Sequence, residues 1–144
     1  MNYKKFIETI ISVATGITYS GTTGTTIVKW CEFCLTDEPE LNPNTTYPAI
    51  FITPIPITFA DNPMDDQVYF KARLYVLDNI AVDKSLRLTA YSKCLDIIML
   101  IFEGLEDAGF IFKDAMDWTP VLLYDGNVDG GFIDITILDV YDCI

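Results

Sequence analysis

Four groups of residues in this chain have side chains at spacings that could do chemistry. Cys31-Glu32-Phe33-Cys34 has the separation of half a zinc site or of a redox pair. The chain holds no histidine and no second CxxC, so a tetrahedral set would have to draw on distant Cys94 and Cys143. In a strand, moreover, residues three apart face opposite sides, so the two sulfurs are expected apart, as reduced, buried thiols. The second group is DGNVDGG, where Asp125, Asn127, Asp129 and Gly130 match the first half of a calcium loop. Thr136 stands where that loop needs its bidentate glutamate, and the flanks read as strands. A plain hairpin is the expectation for Asp125–Asp129. Gly16, Gly21 and Gly24 form the third group, but no Lys-Ser or Lys-Thr pair follows and GxGxxG is absent. Last come paired carboxylates such as Asp65 with Asp66 and Asp114 with Asp117, in loop contexts that look solvated.

Zero histidines also remove the commonest general base, and with it Ser-His-Asp and Cys-His arrangements. The expectation is a protein with no catalytic residues, no cofactor and no metal. A small metal-dependent hydrolase using carboxylates is the weaker rival.

The elements that would position these residues begin with the run from Ser85 to Gly109, the longest with helical periodicity. Leu88, Tyr91, Cys94, Leu95, Ile98, Phe102 and Leu105 recur at the spacing of one helical face. Ile97, Leu100 and Ile101 widen it, so a second surface of the helix also asks for cover. Asp83 or Ser85 caps its start and Gly109 takes the turn that ends it. A first helix is predicted over Lys4–Ala14, with Phe6, Ile7, Ile10, Ile11 and Ala14 inward. Its basic start resembles a secretory leader, but Glu8 interrupts the apolar part, so it reads as a helix of the mature protein.

The Gly/Ser/Thr-rich run Thr15–Thr26 predicts a loop, and Thr26–Leu35 a strand. An acidic, proline-rich loop follows from Asp37 to Asn44. PAIFITPIPITF is an extended segment in which Pro54 and Pro56 each remove a ladder donor, which confines these two to an edge or a bulge and leaves one side able to pair. Gln67–Asp78 has the cleanest alternation in the chain. Val68, Phe70, Ala72, Leu74 and Val76 face the core, while Tyr69, Lys71, Arg73 and Tyr75 face solvent or a partner. At ~3.3 Å per residue this strand reaches about 40 Å, long enough to overhang a small core and to need a neighbour. TPVLLYD and FIDITILDVYD read as two antiparallel strands joined by DGNVDGG.

These elements predict one α+β domain over residues 1–144: an antiparallel or mixed sheet, a long central helix, and an N-terminal helix packed against it. With 51% hydrophobic and 21% charged residues the chain can bury a core. No run approaches the ~20 apolar residues of a membrane span. Nine basic against 21 acidic residues, a formal charge of -12, argue against gripping DNA through its phosphates.

Tyr47-Pro48-Ala49-Ile50-Phe51-Ile52 entering a strand, the long strand Val68–Asp78, and the helix carrying Tyr91, Cys94, Leu95, Ile98 and Leu105 together resemble the tail-completion proteins of tailed bacteriophages, the tail-terminator and head-to-tail joining family. The resemblance runs from Tyr47 to Ile144, with the first helix matching the one that opens such proteins. Pro54, Pro56 and the loop Asp37–Asn44 depart from it. It implies a virion subunit, assembled in the host cytoplasm, that closes into a homo-oligomeric ring at the tail top or neck. Such a ring docks on other neck, connector or tail proteins and lets DNA pass without specific binding. Tyr69, Lys71, Arg73 and Tyr75 are then the expected subunit interface. An acidic adaptor or inhibitor module without catalytic activity fits the composition as the alternative.

Overall fold

The structure is a computed structural model and describes residues 2–21, 24–35, 39, 44–56, 67–79, 87–113, 116–123 and 128–140. Several expectations fall outside these residues: most of the acidic loop Asp37–Asn44, the caps Asp83 and Ser85, Asp65, Asp66, Asp114, Asp125, Asn127 and Cys143.

Helix α1 spans Tyr3–Thr15, and the Asn2 side chain accepts from the Lys5 N–H at 2.8 Å to cap its start. Phe6, Ile7, Ile10 and Ala14 are buried, the face the spacing predicts. The following loop is instead a hairpin, β1 (Thr18–Gly21) with β2 (Gly24–Ile27). Its threonines, Tyr19 and Ile27 suit a pleated surface, and that β-propensity outweighs the turn content of the run. The predicted strand Thr26–Leu35 is accordingly split: β2 ends at Ile27 and β3 covers Trp30–Phe33.

β3 runs parallel to β4 (Ala49–Pro54), which pairs antiparallel with β5 (Gln67–Asn79). β4 is therefore an inner strand from Ala49 to Ile52, and its prolines lie past that stretch, where one side alone is paired. Pro54 is its last residue, beyond the Phe33–Ile52 end of β3, and Pro56 lies outside the strand. No ladder donor is missed where both neighbours are present.

Helix α2 is Arg87–Asp107. Its end follows the expectation: Gly109 has φ 95°, and the Phe110 N–H donates to the Leu105 carbonyl at 3.0 Å. Its core face is rotated. Ala90, Cys94, Ile97, Ile98, Ile101 and Leu105 are buried, whereas Leu88 is 78% exposed. At 3.6 residues per turn that face lies roughly 70° from the predicted one. Short β6 (Ile111–Phe112), β7 (Trp118–Leu123) and β8 (Val128–Val140) complete the fold. β8 begins earlier than predicted, so Asp129, Gly130 and Gly131 are ladder residues rather than turn residues.

The six-stranded mixed sheet has the order β3-β4-β5-β8-β6, with β7 also on β8, and the fold is α+β. β5 and β8 pair over thirteen residues, from Gln67–Val140 to Asn79–Val128. Both helices cover one sheet face, and Phe6 of α1 stacks 5.6 Å from Phe70 of β5. α1 packs on α2 where Gly104 leaves room for Val13, whose Cγ1 would stand 2.6 Å from an added Cβ. The opposite face carries a smaller cluster built on Ala49, Phe51, Tyr75 and Leu77.

Candidate functional site

β5 places Lys71, Arg73 and Tyr75, three of the four expected interface residues, on the sheet face away from the helices, because Phe70, Ala72, Leu74 and Val76 enter the main core. They divide along the strand. Tyr75 is 5% exposed and packs on its cross-strand partner Phe132 at 5.3 Å, so it belongs to the second cluster and has almost no surface to offer. Arg73 faces Asp134 across the ladder. Its Nε donates to Asp134 Oδ1 at 2.6 Å and its Nη2 to Oδ2 at 3.1 Å, with the guanidinium 4.1 Å above the Phe132 ring. The Asp134 hydrogen bond outweighs the cost of desolvation and holds Arg73 charged. Lys71 is half-buried opposite Thr136, and the hydroxyl of Tyr3 donates to its carbonyl at 3.2 Å. Tyr69 pairs with Leu138, and its side chain lies outside the described residues.

β4 supports β5 only from Ala72 to Leu77. Beyond Pro54, the Gln67–Lys71 half of β5 has no strand on that side among the described residues. Over that half the ribbon it forms with β8 runs past β4, while β6 pairs with Ile137 and Leu138 on its other side. The lateral edges also differ, with β3 at one side and β6 and β7 at the other.

A second constellation sits beneath the start of α2. Asp78 and Asp129 are directly opposed across β5 and β8, 9% and 4% exposed. Two buried carboxylates in register repel unless cations meet them. Lys93 reaches Asp78 at 2.7 Å, and Arg87 lies 3.4 Å from Asp129. Asp129 Oδ1 also accepts from the Gly130 N–H at 2.8 Å. Cys94 is buried nearby, and desolvation first, then the Asp78 charge, keep its thiol neutral. The sequence reading missed this group although the signal was present: Asp78 continues the Phe70-Ala72-Leu74-Val76 parity, and Asp129 that of Ile133-Ile135-Ile137. Charged residues at core parity mark a buried ion cluster.

Cys31 and Cys34 do face opposite sides, one against the helix-covered core and the other in the second cluster. Burial pushes the Cys31 thiol up to about 12. Cys31, Cys34 and Cys94 are thiols, not disulfides. Of the calcium-loop residues, Asp129 and Gly130 are strand residues, and no group of three metal-binding side chains converges among the described residues. No helix is long and apolar enough to cross a membrane.

Two open grooves flank α2. One, about 840 Å³, lies beside Thr18 and carries Asp96, Glu103 and Glu106 next to Met99, Leu100 and Phe102. The other, about 580 Å³, lies between Arg87, Leu88 and Tyr91 of α2 and Pro120, Val121 and Asp129 of the sheet. Comparison with protein-family models and with curated proteins found no match to this chain.

Proposed function

We propose that this chain is a non-enzymatic virion subunit of a tailed bacteriophage that closes into a ring at the tail top or neck, joins the tail to the head connector, and leaves a channel for DNA. The observation that carries this reading is the thirteen-residue β5–β8 ribbon, which projects past β4 in a sheet whose two lateral edges differ. A closed ring is built from heterologous contacts, in which each subunit offers two different surfaces. A ribbon that runs past β4, with no strand beside Gln67–Lys71 on that side among the described residues, supplies one of them.

Lys71 and Arg73, with Tyr69 by its position on the ribbon, are the residues through which one subunit meets the next. Tyr75 serves from below by holding Phe132 under the Arg73 guanidinium. The carboxylates Asp96, Glu103, Glu106 and Asp107 share one face of α2, and a face of that charge suits a passage in which a polyanion slides without sticking. The ring docks on other neck, connector or tail proteins and holds no DNA sequence.

Negative-stain electron microscopy of the concentrated protein tests this directly. Closed rings with a central opening are expected, and their loss in Lys71→Glu with the fold retained. Uniform small particles at every concentration would instead favour an acidic adaptor acting as a monomer.

A further inference from the structure

We infer that the acidic groove along α2 is the surface on which the β5–β8 ribbon of a neighbouring copy of this chain lands, with Lys71 and Lys113 of that copy meeting Asp96, Glu103 and Glu106. The inference rests on the ring reading and names the second of the two surfaces a ring requires.

The groove lies on the side of α2 turned away from the sheet. Met99, which lines it and is 67% exposed, stands roughly 200° around the helix from buried Ile101. Leu100 and Phe102 add to its apolar lining, and Asp96, Glu103 and Glu106 supply the charge. Glu103 and Glu106 also stand near the carbonyl end of α2, whose last turn holds no Lys or Arg. Carboxylates there meet the negative end of the helix dipole, so the groove gains from cations that an occupant brings.

The ribbon carries the matching chemistry on the other face of the sheet. Phe112 and Ile137 pair across β6 and β8 and pack toward the helices, so their neighbours Ile111 and Leu138, also paired, face away. Ile111 is 60% exposed. Lys71 and Lys113 flank Thr136 on that face: Lys71 is its ladder partner in β5, and Lys113, at the parity of Ile111, donates its N–H to the Thr136 carbonyl at 2.8 Å. An apolar pair beside two lysines thus answers an apolar groove beside three carboxylates, with opposite sign.

Position makes a second copy the occupant. The two surfaces lie on opposite faces of one sheet, so they cannot meet within a chain, and between copies they join head to tail, as ring closure demands. Two lysines set against the four carboxylates Asp96, Glu103, Glu106 and Asp107 leave that face of α2 negative, so docking there is compatible with a passage for DNA.

The test begins with the unmodified multimer. A carbodiimide, which joins amines to touching carboxylates without a spacer, should link Lys71 or Lys113 to Asp96, Glu103 or Glu106, as read by mass spectrometry of the peptides. The double variant Glu103→Lys, Glu106→Lys should lose the multimer while keeping its circular dichroism, and adding Lys71→Glu and Lys113→Glu in the same chain should restore it at the parent's mass. A multimer whose links omit these pairs, one that survives the double variant, or a folded fourfold variant that stays unassembled would each overturn the inference and leave ring formation standing. A parent chain that never assembles would overturn both.

Discussion

Gly130 is the residue at which a single methyl group should cost most. It sits in β8 at φ 152°, and a Cβ there would stand 2.0 Å from the Val76 carbonyl oxygen and 3.1 Å from the Leu77 Cα. Backbone cannot yield as a side-chain tip does, so Gly130→Ala is expected to lose about 2–4 kcal/mol in urea unfolding. Arg73 makes a smaller contribution, because its pair with Asp134 is partly exposed. Arg73→Lys keeps the charge but loses the two-pronged bond and the stacking on Phe132, and should cost about 1 kcal/mol. Cys31 gives a pH dependence. Its folded pKa is raised by burial from near 9 to about 12, so the folded chain keeps a proton that the unfolded chain releases. That contribution is complete below pH ~9 and is lost as pH rises toward 12. Urea midpoints between pH 8 and pH 11 should therefore fall less steeply in Cys31→Ala than in the parent. The split of Cys31 from Cys34 was legible in the sequence, since the strand period alone separates them. The burial of Tyr75 was not, because alternation assigns a face without saying whether that face is covered.

At the scale of elements, α1 meets α2 at one close approach. An added Cβ on Gly104 would stand 2.6 Å from Cγ1 of Val13, a β-branched side chain with little rotamer freedom in a helix. Gly104→Ala is expected to destabilise by about 1 kcal/mol despite the better helix propensity of alanine. In a Val13→Ala background the same change should become neutral or stabilising, and a double-mutant cycle read by thermal unfolding checks the reversal. β5 was legible almost to the residue, because one covered face imposes strict alternation on Phe70, Ala72, Leu74 and Val76. α2 was legible in length and ending, through Gly109, yet not in rotation. Leu88 fits the apolar period, but the sheet draws in the face centred between Cys94 and Ile101 instead. The β1–β2 hairpin was hidden by the glycines around its threonines. The early start of β8 was hidden by Gly130 and Gly131, which serve close packing under Val76 and Trp118 rather than a turn.

For the whole molecule, the α+β class and the association of the two helices with one sheet could be read from the order of periodic segments. The parallel β3–β4 pair could not, since no local pattern distinguishes a parallel neighbour from an antiparallel one. The buried group was half legible: core parity marks Asp78 and Asp129 as buried carboxylates, whereas no local pattern brings them Arg87 and Lys93 from α2. The proposed ring draws on features spread over the molecule: the β5–β8 ribbon that runs past β4, two unlike sheet edges and an acidic α2 surface. Its most direct test is the native mass of the purified protein over a concentration series. Ring formation predicts a single closed multimer at a fixed multiple of 16.2 kDa, with no ladder of intermediate sizes. A species of 16.2 kDa that persists unchanged at every concentration would contradict it.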